Sequence, residues 1–335
     1  MNKFLLVLLL ALVSCEVDIE SQIFRHFQRF IKKYNKKYSS MTEYLARFNA
    51  FRQNLLKMVE NGPQSYEIGV TKFADMTPQE FARTHLNLNF NALALVNLKP
   101  VKVKITNEAP DDFDWRDKNV VSAVKDQGSC GSCWAFSTIA NLESLYALKK
   151  GVVKTFSEQY LVDCDTEDEG CNGGLMELSF EWLASNDGGV MYESDYPYTG
   201  KQQTCKQDKS KFADMKVTGY VKLGEGTDTF SPADEDEMKE FLYEARPLGV
   251  GFNAAPLKTY TGGIIDVPAS QCPSSGINLL GLLVGYGHDD ASNNDYWIVK
   301  NSWGSSWGEK GFFRIKRGSG TCGINCYVIT ATVSF

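Results

Sequence analysis

Residues 127–136 read Gln127-Gly128-Ser129-Cys130-Gly131-Ser132-Cys133-Trp134-Ala135-Phe136 (QGSCGSCWAF). The stretch predicts a glycine-rich turn running into a helix over Ser132–Lys150, ended by Gly151. It sets Cys133 in the first helical turn, where the macrodipole and unpaired N–H groups favour a thiolate. Gln127, upstream on the turn, can aim an amide N–H at an oxyanion forming near that sulfur. Two structural cysteines at a helix start are the plainer alternative. A zinc site at Cys130-x-x-Cys133 needs a second cysteine or histidine pair. The chain has three histidines, His26, His85 and His288, and none supplies one.

Working outward, the 335-residue chain carries a net charge of −6 and no Lys/Arg block, which argues against nucleic acid as a partner. Met1–Lys3 is positively charged, Phe4–Val13 is apolar, and Val13-Ser14-Cys15 offers small residues for cleavage. That pattern reads as a secretory signal peptide over 1–15, too short to span a bilayer. No later segment reads as a membrane span. Disulfides can form along that route. Apart from Cys15, every cysteine lies at or after residue 130.

The thiol-free front reads as helical over 22–61, with Phe24, Phe27, Phe30, Tyr34 and Tyr38 recurring at helical steps. A second run, Glu43–Asn61, repeats the pattern with Leu45, Phe48, Phe51, Leu55 and Met58. Residues 87–108 lose all period and read as an extended connector. From residue 109 the composition shifts to Gly, Trp and Cys. A helix is expected over Leu175–Ser185. Strands are expected over Val217–Leu223, Gly249–Asn253, Leu279–Tyr286, Tyr296–Lys300, Gly311–Lys316 and Tyr327–Val333. Helices first and strands later predict an α+β body with a cleft between its halves.

QGSCGSCWAF resembles the nucleophile segment of the papain family of cysteine peptidases, in its cathepsin L-like branch. Ser157–Cys164 (SEQYLVDC), Gly170–Gly174 (GCNGG), Tyr196-Pro197-Tyr198 and Asn301–Gly308 (NSWGSSWG) extend the likeness in order. Glu43, Arg47, Phe51 and Asn54 match the propeptide motif E-x3-R-x3-F-x2-N, with Met58 and Gly62 departing from its last two positions. Gly69–Asp75 resembles the second propeptide motif, with Thr71 in place of asparagine.

The resemblance implies a two-domain fold, helical domain plus β-barrel-like domain, behind an inhibitory propeptide at 16–108, with the peptidase body at 109–335. It implies disulfides Cys130–Cys171, Cys164–Cys205 and Cys272–Cys322, leaving Cys133 as nucleophile and Cys326 as an unmatched thiol. Gln127 would serve the oxyanion, and Asn301 would orient an imidazole. Gly173, Gly174, Leu175, Met176, Trp303 and Tyr327 would bind an extended peptide, Tyr327 at the floor of an apolar pocket. No cofactor or metal is implied. The partners expected are a peptide and the chain's own propeptide, in a monomer within a lysosome-like or extracellular compartment.

One residue breaks the pattern. In this family the imidazole opens the strand that ends in Gly-Tyr-Gly. Counting back from Gly285-Tyr286-Gly287, or seven forward from Cys272, gives Leu279, and residues 270–287 contain no histidine. His26 and His85 fall in the propeptide. His288 lies nine residues past Leu279, about 20–30 Å along a strand, and reads as a solvated turn residue. Without an imidazole, a thiol titrating near 8.5 is only about 0.1% ionised at pH ~5.5, and the leaving amine loses a proton donor worth about 10²–10⁴-fold. Two readings follow. One is a peptide-binding homologue with lost or strongly reduced proteolysis. The other is an active endopeptidase that uses another base, or whose residues 279–281 are misrecorded.

Overall fold

The computed structural model describes residues 19–86, 108–224 and 231–335. The signal-peptide reading at 1–15 and nearly all of the connector at 87–108 lie outside the described residues.

The front forms a helical domain. Residues 19–33 are helical (α1) and Met41–Asn61 forms α2. The continuous helix expected over 22–61 is therefore broken at 34–40. Asn35 takes a left-handed φ of 48° there, and Ser40 caps α2 by accepting the Glu43 N–H. Tyr34 and Tyr38, freed from helical register, instead donate their hydroxyls to Val70 O and Asp75 Oδ2 at 2.9 Å each. Ile23, Phe27, Phe30, Phe51 and Ala74 make this domain's own core. Gly62 departs from the propeptide motif, yet it has a job: at φ 67° it caps α2, its N–H reaching Val59 O. A short strand β1 (Glu67–Ile68) and helix α3 (Pro78–His85) complete the domain.

In the body, β2 (Phe113–Asp114) leads to α4 (Cys133–Lys150), α5 (Glu158–Cys164) and α6 (Met176–Ser185). Strand β3 (Lys216–Lys222), helix α7 (Glu235–Glu244) and strands β4 (Leu248–Phe252), β5 (Tyr260–Gly262) and β6 (Ile264–Ile265) follow. Last come β7 (Leu279–Asp289), β8 (Asn294–Lys300), β9 (Phe312–Lys316) and β10 (Val328–Ser334). The expected strands agree to within a few residues. Helix α7 was not anticipated, although its signal is legible: Asp234 caps it and Glu235, Asp236 and Glu237 fill its first turn.

The large sheet runs β3-β10-β4-β7-β8-β9-β6, with β2 beside β7. All its pairs are antiparallel except β6 with β9. It is an open sheet and not a closed barrel, since no pair joins β3 to β6 among the described residues. Helix α4 is enclosed from Cys133 to Ala147 and packs against this sheet, so its N-terminus meets the start of β7. A helical half and a sheet half thus adjoin at Cys133. Disulfides link Cys130 to Cys171, Cys164 to Cys205 and Cys272 to Cys322, and Cys133 and Cys326 are free thiols.

Candidate active site

Two tethers place Cys133 at its helix start. The Cys130–Cys171 disulfide and the Gly131 N–H to Cys171 O bond (2.9 Å) tie the entering turn to the Gly170–Gly174 loop. The Gln127 N–H reaches Ser302 O at 2.9 Å, which joins the same turn to the segment after β8. Burial pushes the Cys133 thiol up to about 11, against the opposing pull of the Leu280, Trp134 and Cys133 backbone N–H groups. The helix start therefore does not offset the desolvation of a thiol with no cationic partner.

Gln127 is buried and already engaged. Its Nε2 donates to Cys130 O (2.9 Å), and its Oε1 accepts the Ser302 hydroxyl (2.6 Å). An amide nitrogen carries two hydrogens, so one donor remains for an oxyanion. Asn301, just past β8, accepts the Ser302 N–H on Oδ1 at 2.8 Å. Among the described residues, its Nδ2 and the Nε1 of neighbouring Trp303 are enclosed without a hydrogen-bond partner.

Leu279 opens β7, fully buried and opposite Phe252, and Leu280 sits opposite Gly251. The Leu280 N–H bears on the Cys133 sulfur. The strand thus delivers hydrocarbon beside the Cys133 thiol. None of the three histidines is among the groups acting on that thiol. His288 lies near the far end of β7 and bonds Asp295 at 2.8 Å, which raises its pKa. His26 is exposed on α1.

His85, which the sequence leaves unassigned within the front domain, is buried on the body. Its ring stacks on Phe81 (5.2 Å between centroids) and meets Phe73 (4.7 Å) and Trp303 (6.0 Å) edge-on. Phe81 and His85 are four apart on one helix, and that spacing is the signal that could have found the cluster. The front domain also pairs β1 with β5 (Ile68 opposite Tyr260). Thr71 Oγ1 donates to Lys258 O at 2.6 Å, so the departure from asparagine keeps a docking contact. Lys258 Nζ reaches Asn54 Oδ1 (3.0 Å) and Met76 O (2.8 Å). Glu43, Arg47 and Phe51 hold the domain itself together. Glu43 accepts the Ser39 N–H, Arg47 pairs bidentately with Glu80, and Phe51 sits in the core.

Around the expected peptide pocket, Leu175 and Met176 are buried and Gly174 lies against Trp134 and Asp168. Gly173 takes φ 125°, a conformation that favours glycine. The Tyr327 hydroxyl accepts the Met176 N–H at 3.1 Å and donates to the buried Glu177 carboxylate. This carboxyl is pushed up to about 7 by burial.

Comparison with known proteins agrees with this architecture. The family described as "Papain family cysteine protease" matches residues 109–332, and "Cathepsin propeptide inhibitor domain (I29)" matches 27–81. The chain is 41% identical over 303 residues to Cathepsin F of Drosophila melanogaster, covering 88% of this chain and 48% of that longer protein. It is 40% identical to Cysteine proteinase 15A of Pisum sativum, covering 92% of this chain and 86% of that one. Among solved structures, the procathepsin L2 proteinase of the Tenebrio molitor larval midgut superposes with a TM-score of 0.81 at 34% identity, covering 92% of this chain and 99% of that one. A helical propeptide domain docked beside Trp303, an α4 thiol facing β7 and matches across both regions lead to one assignment: the chain belongs to the papain family of cysteine peptidases and carries a cathepsin-type propeptide.

Proposed function

We propose that the chain is a secretory zymogen of cathepsin L-like type whose site retains peptide binding while proteolysis is lost or strongly reduced. The observation that carries this reading is Leu279, buried at the start of β7 beside a thiol raised to about 11. At pH ~5.5 such a thiol is ionised at only a few parts per million. Cys133 is then the position of the nucleophile, Gln127 of the oxyanion donor and Asn301 of the orienting amide, with Leu279 in place of the base. Gly173, Gly174, Leu175, Met176, Trp303 and Tyr327 bind an extended peptide. Residues 16–108 act as the inhibitory propeptide of a 109–335 body, and its removal then depends on another protease. The route is secretory, to an acidic vesicle or the exterior.

A second reading, an active endopeptidase, draws support from the intact Gln127 and Asn301. One experiment separates them. Full-length protein and Leu279→His, each processed by an added protease, are assayed with a fluorogenic dipeptide substrate carrying an apolar residue second from the cut. Wild type should stay near background from pH 4 to 8, and Leu279→His should gain orders of magnitude. Family-like turnover in wild type would overturn the proposal.

A further inference from the structure

Asp165 ends α5, and Asp168 lies in the turn before the Gly170–Gly174 loop. Both are buried, at 4% and 8% exposure. Asp168 accepts the Leu175 N–H on Oδ1 (2.8 Å) and the Ser179 hydroxyl on Oδ2 (3.0 Å). Asp165 Oδ1 accepts the Glu167 N–H (2.9 Å), whereas its enclosed Oδ2 has no hydrogen-bond partner among the described residues. The two carboxyl groups nevertheless lie within interacting distance of each other. Two carboxylates cannot bond to each other unless one carries a proton. Gly174 is squeezed on top: a Cβ there would come within 2.4 Å of Asp168 Oδ1 and 2.7 Å of the Trp134 ring.

We propose that Asp165 and Asp168 share a proton and act as a positioning pair that holds Gly173–Leu175 in place for an extended peptide. This rests on reading that loop as the peptide-binding edge. The charged groups facing the pair are acidic: Glu167 beside Asp165, and each carboxyl beside the other, while the Tyr160 hydroxyl also faces Asp165. Burial and this repulsion raise both groups, Asp165 to about 6 and Asp168 well above the ordinary carboxyl range. In acid the pair stays protonated and Leu175 stays tethered. As the pH climbs past about 6 protons begin to leave, and when the last is lost two carboxylates repel beneath Gly174. The loop is thus built to be ordered in an acidic compartment.

The test uses the full chain and Asp168→Asn, whose amide gives Asp165 a permanent N–H donor and still offers Leu175 an acceptor. Hydrogen exchange at the Leu175 amide, corrected for its intrinsic rate, is followed from pH 5 to 9. Wild type should lose protection about tenfold or more as the pair ionises, and Asp168→Asn should stay flat. Superimposable profiles would overturn the proposal. Should the variant fail to fold, infrared spectra of wild type with ¹³C-carboxyl aspartate decide the matter at pH 5.5. A protonated aspartic acid band supports the pair, and its absence refutes it. Neither readout needs a bound peptide, so the pair and the peptide-binding reading fail separately.

Discussion

His85 should make propeptide docking sensitive to acid. Its ring is 3% exposed among Phe73, Phe81 and Trp303, and its one polar contact among the described residues is Nδ1 to Thr84 Oγ1 at 2.6 Å. Burial, then the nearby Lys72, depress the imidazole from 6.5 to about 4; Lys36 adds to this, and Asp126 and Glu80 oppose it. The sign follows from linkage. A base whose docked pKa is lowered resists protonation, so its contribution is whole above pH 6.5 and is lost as the pH falls from 6.5 to about 4. Across that window the loss is about 3 kcal/mol, and at pH 5 the propeptide should hold roughly 20-fold more weakly than at neutral pH. In the full chain, hydrogen exchange over residues 69–85 should quicken accordingly between pH 7 and 4.5, and His85→Phe should remove most of the change. An NMR titration that puts His85 near 6.5 in the intact zymogen would refute the reasoning, as would a His85→Phe chain that opens at the wild-type pH.

Two further outcomes are expected. Cys133 in the full chain should alkylate barely at pH ~5.5 and keep accelerating beyond pH 9, following a thiol near 11; a plateau in the acid range, seen by mass spectrometry against pH, would show a base. Lys258→Met should weaken the hold on the front domain by about 1.5–3 kcal/mol through loss of the Asn54 and Met76 bonds, read as faster cleavage before residue 109 by an added protease.

The parts of the fold that were legible in the sequence are those governed by local chemistry. Gly151 stops α4 because it alone takes φ 69° cheaply, and the β7 run reads as a buried strand from its unbroken apolar character. What escaped depends on contacts between distant segments. Asp165 and Asp168 look like solvated turn residues until Trp134 and Leu175 close over them. Helical period ran on through Tyr34 and Tyr38 because aromatic spacing says nothing about the left-handed Asn35 between them. At the site, the sequence names Gln127 and Asn301 but not their state. Only the packing shows the glutamine pinned between Cys130 and Ser302, and the asparagine Nδ2 without a partner among the described residues.

That amide bears on whether a histidine at 279 could be accommodated at all. Leu279 is wholly buried, so its replacement forfeits about 1.5–3 kcal/mol of apolar burial. A neutral imidazole regains part of this if it meets the Asn301 amide, at about 0.5–1.5 kcal/mol for one hydrogen bond. The net cost is small against a domain stability of roughly 5–15 kcal/mol, so Leu279→His should fold. Its neighbours set different limits. Leu280 is the next residue of the strand, so its side chain projects to the opposite face of the sheet from the new ring. Gly281 cannot be enlarged, because a Cβ there would stand 2.9 Å from both Lys300 O and Val299 Cγ1. A single substitution at 279 is therefore the cleaner test of what the site has kept.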